Sequence, residues 1–227
     1  MPTLYIVATP IGNLEDITLR ALRVLGEVDV IFCEDTRVTN KLLKHYKINK
    51  PLKIFHQHSP LRSWESFAGQ AQNIAYVTDA GTSGVSDPGA KLAQIAREAG
   101  WKVVPIPGPS ALITLLSVAG MSRNGSTKRN GGDFVFLGFL PHKKGRQTLL
   151  KEIAQAKRAY VVYEAPSRIA RLFRELSEHC GHECKLVVGR ELTKMFEEVW
   201  QGTTMEATSH FVGNHARGEF VILIFPQ

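Results

Sequence analysis

The chain has 227 residues, 44% hydrophobic and 22% charged, which is material for one large core or two small ones and excludes a disordered chain. Lys and Arg outnumber Asp and Glu by 28 to 21, and the resulting +7 suits a polyanionic partner, most simply RNA or DNA. Three cysteines exclude a disulfide framework. No apolar run reaches the roughly 20 residues of a membrane span, and the N-terminus lacks a basic leader, so the sequence reads as cytoplasmic with no membrane contact.

Residues 4–8 form a short apolar run, the mark of a buried strand. Thr9-Pro-Ile-Gly-Asn-Leu breaks it, and a helix opens at Glu15-Asp16, with Leu19, Leu22 and Leu25 on one side. A second strand at 28–33 is closed by Glu34-Asp35-Thr36-Arg37. Four polar residues there stand at the carboxyl edge of a sheet, where α/β folds carry function. They also read as a helix start, with Asp35 or Thr36 as N-cap. NKLLKHYKINK (40–50) is a basic amphipathic piece, and 52–55 and 75–78 are further strands. His56, His58 and Arg62 fall in the polar connection between them.

The stretch YVTDAGTSGVSDPGA (76–90) passes from strand to a small-residue loop and then to a helix. Such a loop offers backbone N–H groups to a ligand, and its glycines permit close approach. It fits neither the dinucleotide fingerprint nor the phosphate loop, which leaves a ligand loop of another kind or a plain tight connection. A strand at Lys102–Ile106 ends in Pro107-Gly-Pro-Ser-Ala111 and runs into a helix. Strands alternating with helices predict a parallel sheet in this half.

SRNGSTKRNGGD (122–133) has no apolar residue and reads as a linker between an N-terminal α/β domain, 1–121, and a C-terminal one, 134–227. After a strand at Phe134–Phe139, Lys143, Lys144 and Arg146 form the most exposed-looking cationic cluster of the chain. A strand at 159–163 ends in Glu164-Ala-Pro-Ser-Arg168, and a basic helix follows with Ile169, Leu172, Phe173 and Leu176 inward. His179-Cys-Gly-His-Glu-Cys184 matches no zinc spacing, and Gly181 reads as a helix stop. Strands at 186–188, 199–203 and 219–225 close the chain and predict a hairpin or mixed sheet.

TPIGNLEDIT, EDTR, TDAGTSGVSDPG, PIPGPSA, GFLP-x-KKG-R, YEAPSR, GRELTK-x-x-EE and GEFVILI occur in this order from residue 4 to residue 224. Together they resemble the ribosomal RNA small subunit methyltransferase I family, within the tetrapyrrole-methylase-like (class III) S-adenosylmethionine methyltransferases. The resemblance implies an α/β protein of two αβα domains, a parallel N-terminal sheet and a mixed C-terminal sheet, with the donor in a cleft between them. It implies a homodimer that methylates the ribose 2′-hydroxyl of a cytidine in the decoding region of small-subunit (16S) ribosomal RNA, within the assembled 30S subunit. Donor contacts carried over are Ile11, Gly12, Asp79, Ala80, Gly81, Thr82, Gly84, Ser110, Ala111, Tyr163 and Arg190. The substrate side would use Glu34, Asp35, Arg37, Lys143, Lys144 and Arg168, with Glu191 as proton acceptor or orienter and Lys194 as the cation. Arg37 and Arg190 would steer phosphate, and methyl transfer from a sulfonium needs no metal.

The sequence departs from the family pattern in places. Ser83 stands where proline is expected and Ser167 where histidine is usual, and the 122–133 stretch is longer and more polar. The chain stops after the last strand without a basic helical extension, so RNA affinity would be weaker or would draw on Lys128, Arg129 and the dimer. The competing expectation is a methylase of a small tetrapyrrole-like or protein substrate on the same fold, which EDTR, GRELTK and the positive charge disfavour.

Overall fold

A computed structural model describes residues 1–56, 71–84, 89–120 and 133–226, and its contacts separate Met1–Ser110 from Ala111–Gln227. In the first unit the strands are β1 (Thr3–Val7), β2 (Val30–Cys33), β3 (Leu52–Ile54), β4 (Asn73–Val77) and β5 (Lys102–Ile106). They are all parallel, in the order β3-β2-β4-β1-β5. β1 and β4 lie side by side while the chain leaves them toward opposite edges, the arrangement that opens room for a ligand at the carboxyl end of a sheet.

Alternation along the strands builds both faces. Ile31, Cys33, Ala75 and Val77 pack with helices α1 (Leu19–Glu27) and α2 (Thr36–His45), through Ala21, Val24, Leu25, Leu42 and Leu43. Val30, Phe32, Ile74 and Tyr76 point the other way, to Leu92 and Ala96 of α3 (Gly89–Glu98). One expectation fails here. Leu19 is the first helical residue after the N-cap Thr18 and is 86% exposed, because the buried stripe runs through Ala21, Val24, Leu25 and Val28 instead.

The second unit begins with α4 (Ala111–Val118) and contains β6 (Phe134–Phe139), α5 (Arg146–Gln155), β7 (Ala159–Glu164) and α6 (Pro166–Cys180). It continues with β8 (Lys185–Arg190), β9 (Glu198–Thr203), α7 (Thr204–His210) and β10 (Phe220–Phe225). The sheet order is β6-β7-β10-β8-β9, with only β6 and β7 parallel. One face carries α5, α6 and α7 through Leu150, Ile153, Leu172, Phe173, Leu176 and Phe211. On the other face Leu115 of α4 approaches so closely that a Cβ at Gly189 would stand 3.1 Å from its Cδ1. That packing puts 111–118 with the second unit, whereas the sequence divides the chain after 121; the expected linker, apart from Asp133, lies outside the described residues. Helix α7 went unread although its signal is present: Thr203 and Glu206 form a reciprocal capping box. Among the described residues no helix is long and apolar enough to cross a membrane.

Candidate functional site

Parallel strands deliver their outgoing loops to one edge, so the segments after β1, β2, β4 and β5 meet. They are laced together by hydrogen bonds. Thr9 and Gly81 exchange both backbone bonds at 3.0 Å, and the Thr9 hydroxyl donates to the Thr78 carbonyl at 3.1 Å. The Thr78 hydroxyl donates to the Glu34 carboxylate, and the Asp35 N–H donates to Asp79 Oδ1 at 3.1 Å. Thr82 Oγ1 donates to the Pro109 carbonyl at 2.9 Å. Glu34, Asp35, Asp79, Gly81 and Thr82 are thereby brought together, while Gly12, Ala80 and Gly84 are exposed and Ser110 closes the unit. Thr9 and Thr78 are the lattice members that sequence missed; a threonine flanking a strand carries no sign of a partner 69 residues away.

The Glu34–Arg37 turn follows the carboxyl end of β2 and starts α2, as the N-cap reading expects. Asp35 caps α2, accepting from the Arg37 N–H at 2.8 Å, and it binds the Arg37 guanidinium at 2.6 Å. Those bonds hold its carboxyl at about 2 and push the guanidinium up, on a side chain that is 86% exposed. Asp79 moves the opposite way: partial desolvation raises its carboxyl by more than the Asp35 amide lowers it.

Gly81 shows how tightly the loop is built. Its φ is +81°, and a Cβ there would lie 3.3 Å from Ile11 Cγ2 and 3.7 Å from the Pro109 carbonyl. Gly81→Val is therefore expected to destabilise the unit by about 1–2 kcal/mol. Thermal unfolding checks this; a variant as stable as wild type would contradict the packing.

In the second unit the carboxyl ends of β6, β7 and β8 share an edge, since Phe139 pairs with Tyr163 and Phe220 pairs with both Glu164 and Arg190. Tyr163 accepts a hydrogen bond from the Leu112 N–H at 3.3 Å, which sets it beside Ala111. After β8 the chain makes a tight turn with left-handed Glu191 (φ 50°) and Thr193 (φ 68°) around the buried Leu192. Non-glycine residues hold that region only when their surroundings fix them. Here Glu191 Oε1 accepts from Lys194 Nζ and from the Glu219 N–H, both at 2.8 Å, and Lys194 Nζ reaches Glu219 at 2.9 Å. Desolvation opposes ionisation of Glu191, but Lys194 and the Glu219 amide prevail and its carboxyl sits below the usual range. For Lys194 desolvation is likewise outweighed, by Glu191 and Glu219, and the ammonium is held above its ordinary value.

Arg190 is held in place by Glu198, with Nε 2.8 Å from Oε2, and its Nη1 donates to the Arg217 carbonyl at 3.3 Å. Glu198 also meets His210 Nε2 at 2.5 Å and His215 Nδ1 at 3.2 Å. Two ligands on a tetrahedral zinc stand roughly 3.3 Å apart, so the Glu198–His210 contact fits a hydrogen bond better than a shared metal. Desolvation raises Glu198, but His210, Arg190 and His215 together bring it down to about 2 from 4.5. A depressed carboxyl gives stability that is complete above its unfolded value and lost as pH falls through the folded one. The stability difference between wild type and Glu198→Gln is thus expected to shrink by roughly 2–3 kcal/mol from pH 4.5 to pH 2, measured by denaturant unfolding. A constant difference across that window would contradict the assignment.

Two cationic expectations need correction. Arg146, read as exposed beside Lys143 and Lys144, is 1% exposed and bonds Glu175 at 2.7 Å and Glu164 at 3.4 Å. Arg168, expected on the substrate side, is 15% exposed and turned to Glu164 at 2.6 Å. Burial demands paired charge: Arg146 meets carboxylates 18 and 29 residues further on, and Arg168 meets Glu164 four residues before it. Lys143 and Lys144 are exposed as expected. The histidines of the 179–184 run face apart, His179 to Gln147 and His182 to Ser177.

Two sheets with polar, glycine-bearing loops at their strand ends define a methylase of the tetrapyrrole type: residues 3–208 match the family model of Tetrapyrrole (Corrin/Porphyrin) Methylases. The fold agrees with uroporphyrin-III-C-methyltransferase from Thermus thermophilus at TM-score 0.69 and 18% identity, covering 99% of this chain and 94% of that one. A structure of the Thermus thermophilus uroporphyrin-III C-methyl transferase complexed with S-adenosyl homocysteine gives TM-score 0.67 at 18% identity, over 98% and 97% of the chains. In sequence the chain is 44% identical to Ribosomal RNA small subunit methyltransferase I of Synechocystis sp. over 99% of its length and 79% of the relative's. The protein of that name from Thermotoga maritima is 39% identical, over 99% and 98%. The chain belongs to the ribosomal RNA small subunit methyltransferase I family, within the tetrapyrrole methylases.

Proposed function

We propose that the protein transfers the methyl group of S-adenosylmethionine to the ribose 2′-hydroxyl of a cytidine in the decoding region of small-subunit ribosomal RNA. The observation that carries this reading is identity of 39–44% over nearly the whole chain to proteins named for that RNA. The bonded loops support it. Gly81 leaves a cradle beside Ile11 that a Cβ would fill, which fits a donor held against Ile11, Gly12, the 79–82 and 84 backbone and Ser110. S-adenosylmethionine supplies an electrophilic sulfonium methyl, so the chain's own work is alignment and charge. As the oxygen–carbon bond forms and the carbon–sulfur bond breaks, the sulfur leaves as the neutral thioether of S-adenosylhomocysteine and the hydroxyl proton passes to water.

Lys194, kept cationic by Glu191 and Glu219, is suited to stabilise negative charge growing on the ribose oxygen. Glu191 has its carboxyl held low and Oε1 occupied, which favours orienting Lys194 over accepting the proton. Arg37 is exposed and available to phosphate. We place the enzyme in the cytoplasm as a homodimer acting on the assembled 30S subunit. Tritiated-methyl transfer offered to 30S subunits, naked ribosomal RNA and a uroporphyrinogen-type substrate tests this: label in the RNA of 30S subunits is expected, and label only in the porphyrinoid would overturn it.

A further inference from the structure

The loop that carries Lys143 and Lys144 is held from beneath by three arginines, each bonded to a successive backbone carbonyl. Arg168 Nη1 donates to Leu140 O at 3.3 Å, Arg146 Nη1 to Pro141 O at 3.2 Å, and Arg171 Nη1 to His142 O at 3.4 Å. Two buried carboxylates fix the arginines in turn. Glu164 binds Arg168 and Arg146, and Glu175 binds Arg146 at 2.7 Å and Arg171 at 2.9 Å. Three guanidiniums against two carboxylates leave one net positive charge at the backbone of a loop that carries two exposed lysines.

A buried ionic lattice is a poor choice for stability alone, since apolar residues of similar volume do as well or better. Arg146 Nη2 and Arg168 Nε even stay without partners among the described residues. What the lattice does achieve is order in a surface loop, where backbone is ordinarily left to solvent. A loop ordered before binding does not lose that entropy when it meets its ligand.

We propose that Arg146, Arg168 and Arg171 are positioning residues that preform the 140–144 loop as a phosphate-binding element for the RNA substrate, with Lys143 and Lys144 touching the phosphates. The inference rests on the RNA methyltransferase reading above. Arg171 is the member to test, because it is half exposed and its loss leaves Arg146 and Arg168 on the two carboxylates. Arg171→Ala is expected to raise KM for 30S subunits about 3–10-fold with kcat within twofold, and to speed amide exchange in the 140–146 peptide while other peptides keep their rates.

Lys143→Ala/Lys144→Ala should raise KM and flatten the dependence of log KM on log salt by roughly 1.4, about 0.7 for each phosphate that is no longer neutralised on single-stranded RNA. In that double-alanine background Arg171→Ala should change KM by less than 1.5-fold, because the groups it positions are gone. Arg171→Lys keeps the charge but cannot fork between Glu175 and His142, so it should resemble Arg171→Ala. Full multiplication of the KM effects, or faster exchange with unchanged KM, would overturn the proposal while leaving the methyltransferase reading intact. A wild-type protein that labels no RNA would overturn both.

Discussion

Replacing Lys194 by methionine is expected to lower kcat for RNA methylation by about 10²–10³-fold while S-adenosylhomocysteine affinity stays within about twofold. The ammonium is the cation that the 191–194 turn is built to hold, with Glu191 and Glu219 each within 2.9 Å of Nζ. Glu191→Gln separates two roles for its neighbour. As an orienter, Glu191 can be replaced by an amide that still accepts from Lys194 and from the Glu219 N–H, so a loss of about tenfold is expected. As the general base it would cost about 10²–10⁴-fold, and the pH dependence of kcat would lose its acidic limb. Single-turnover kinetics on both variants decides between these outcomes.

The second large effect falls on stability. Arg146→Met removes the guanidinium shared by Glu164 and Glu175 and leaves two carboxylates in the interior with one arginine each. Breaking a buried pair costs about 3–5 kcal/mol, and the remaining arginines place this case near 3. For a unit of this size that lowers Tm by roughly 10–15 °C. Denaturant and thermal unfolding would show it. The combination Arg146→Met with Glu175→Gln should recover part of the loss, since it deletes the stranded charge. A Tm within 3 °C of wild type for Arg146→Met would mean that water already serves that site.

Most strands were legible because they are short apolar runs closed by a polar or glycine-bearing loop, while β9, EVWQGT, shows alternation instead; the ten strands among the described residues stand where such signals fall. The partition into a parallel and a mixed sheet was legible in part: helices separate the strands of the first half, and in the last half β8 and β9 follow one another with no helix between them. Partnership was not. Arg146 beside two lysines looks like a third exposed cation, and nothing local reveals carboxylates 18 and 29 residues further on. Helix α4 is apolar on every side, so its pattern could not say which sheet it covers; the small Gly189 facing Leu115 decides that. Leu19 fits a helical stripe by spacing alone, yet the neighbouring stripe through Ala21 and Val24 is the buried one. At the site, the motifs pointed to the loops that come together, whereas the threonine bonds that lace them depend on β1, β2 and β4 lying in adjacent rows.

The chemical identity of the product tests the central claim most directly. Small-subunit RNA methylated by this protein should yield, after complete alkaline hydrolysis, one labelled dinucleotide whose 5′ residue is cytidine, because a 2′-O-methyl group blocks cyclisation onto the adjacent phosphate. Label released entirely as mononucleotides would place the methyl on a base and contradict ribose methylation.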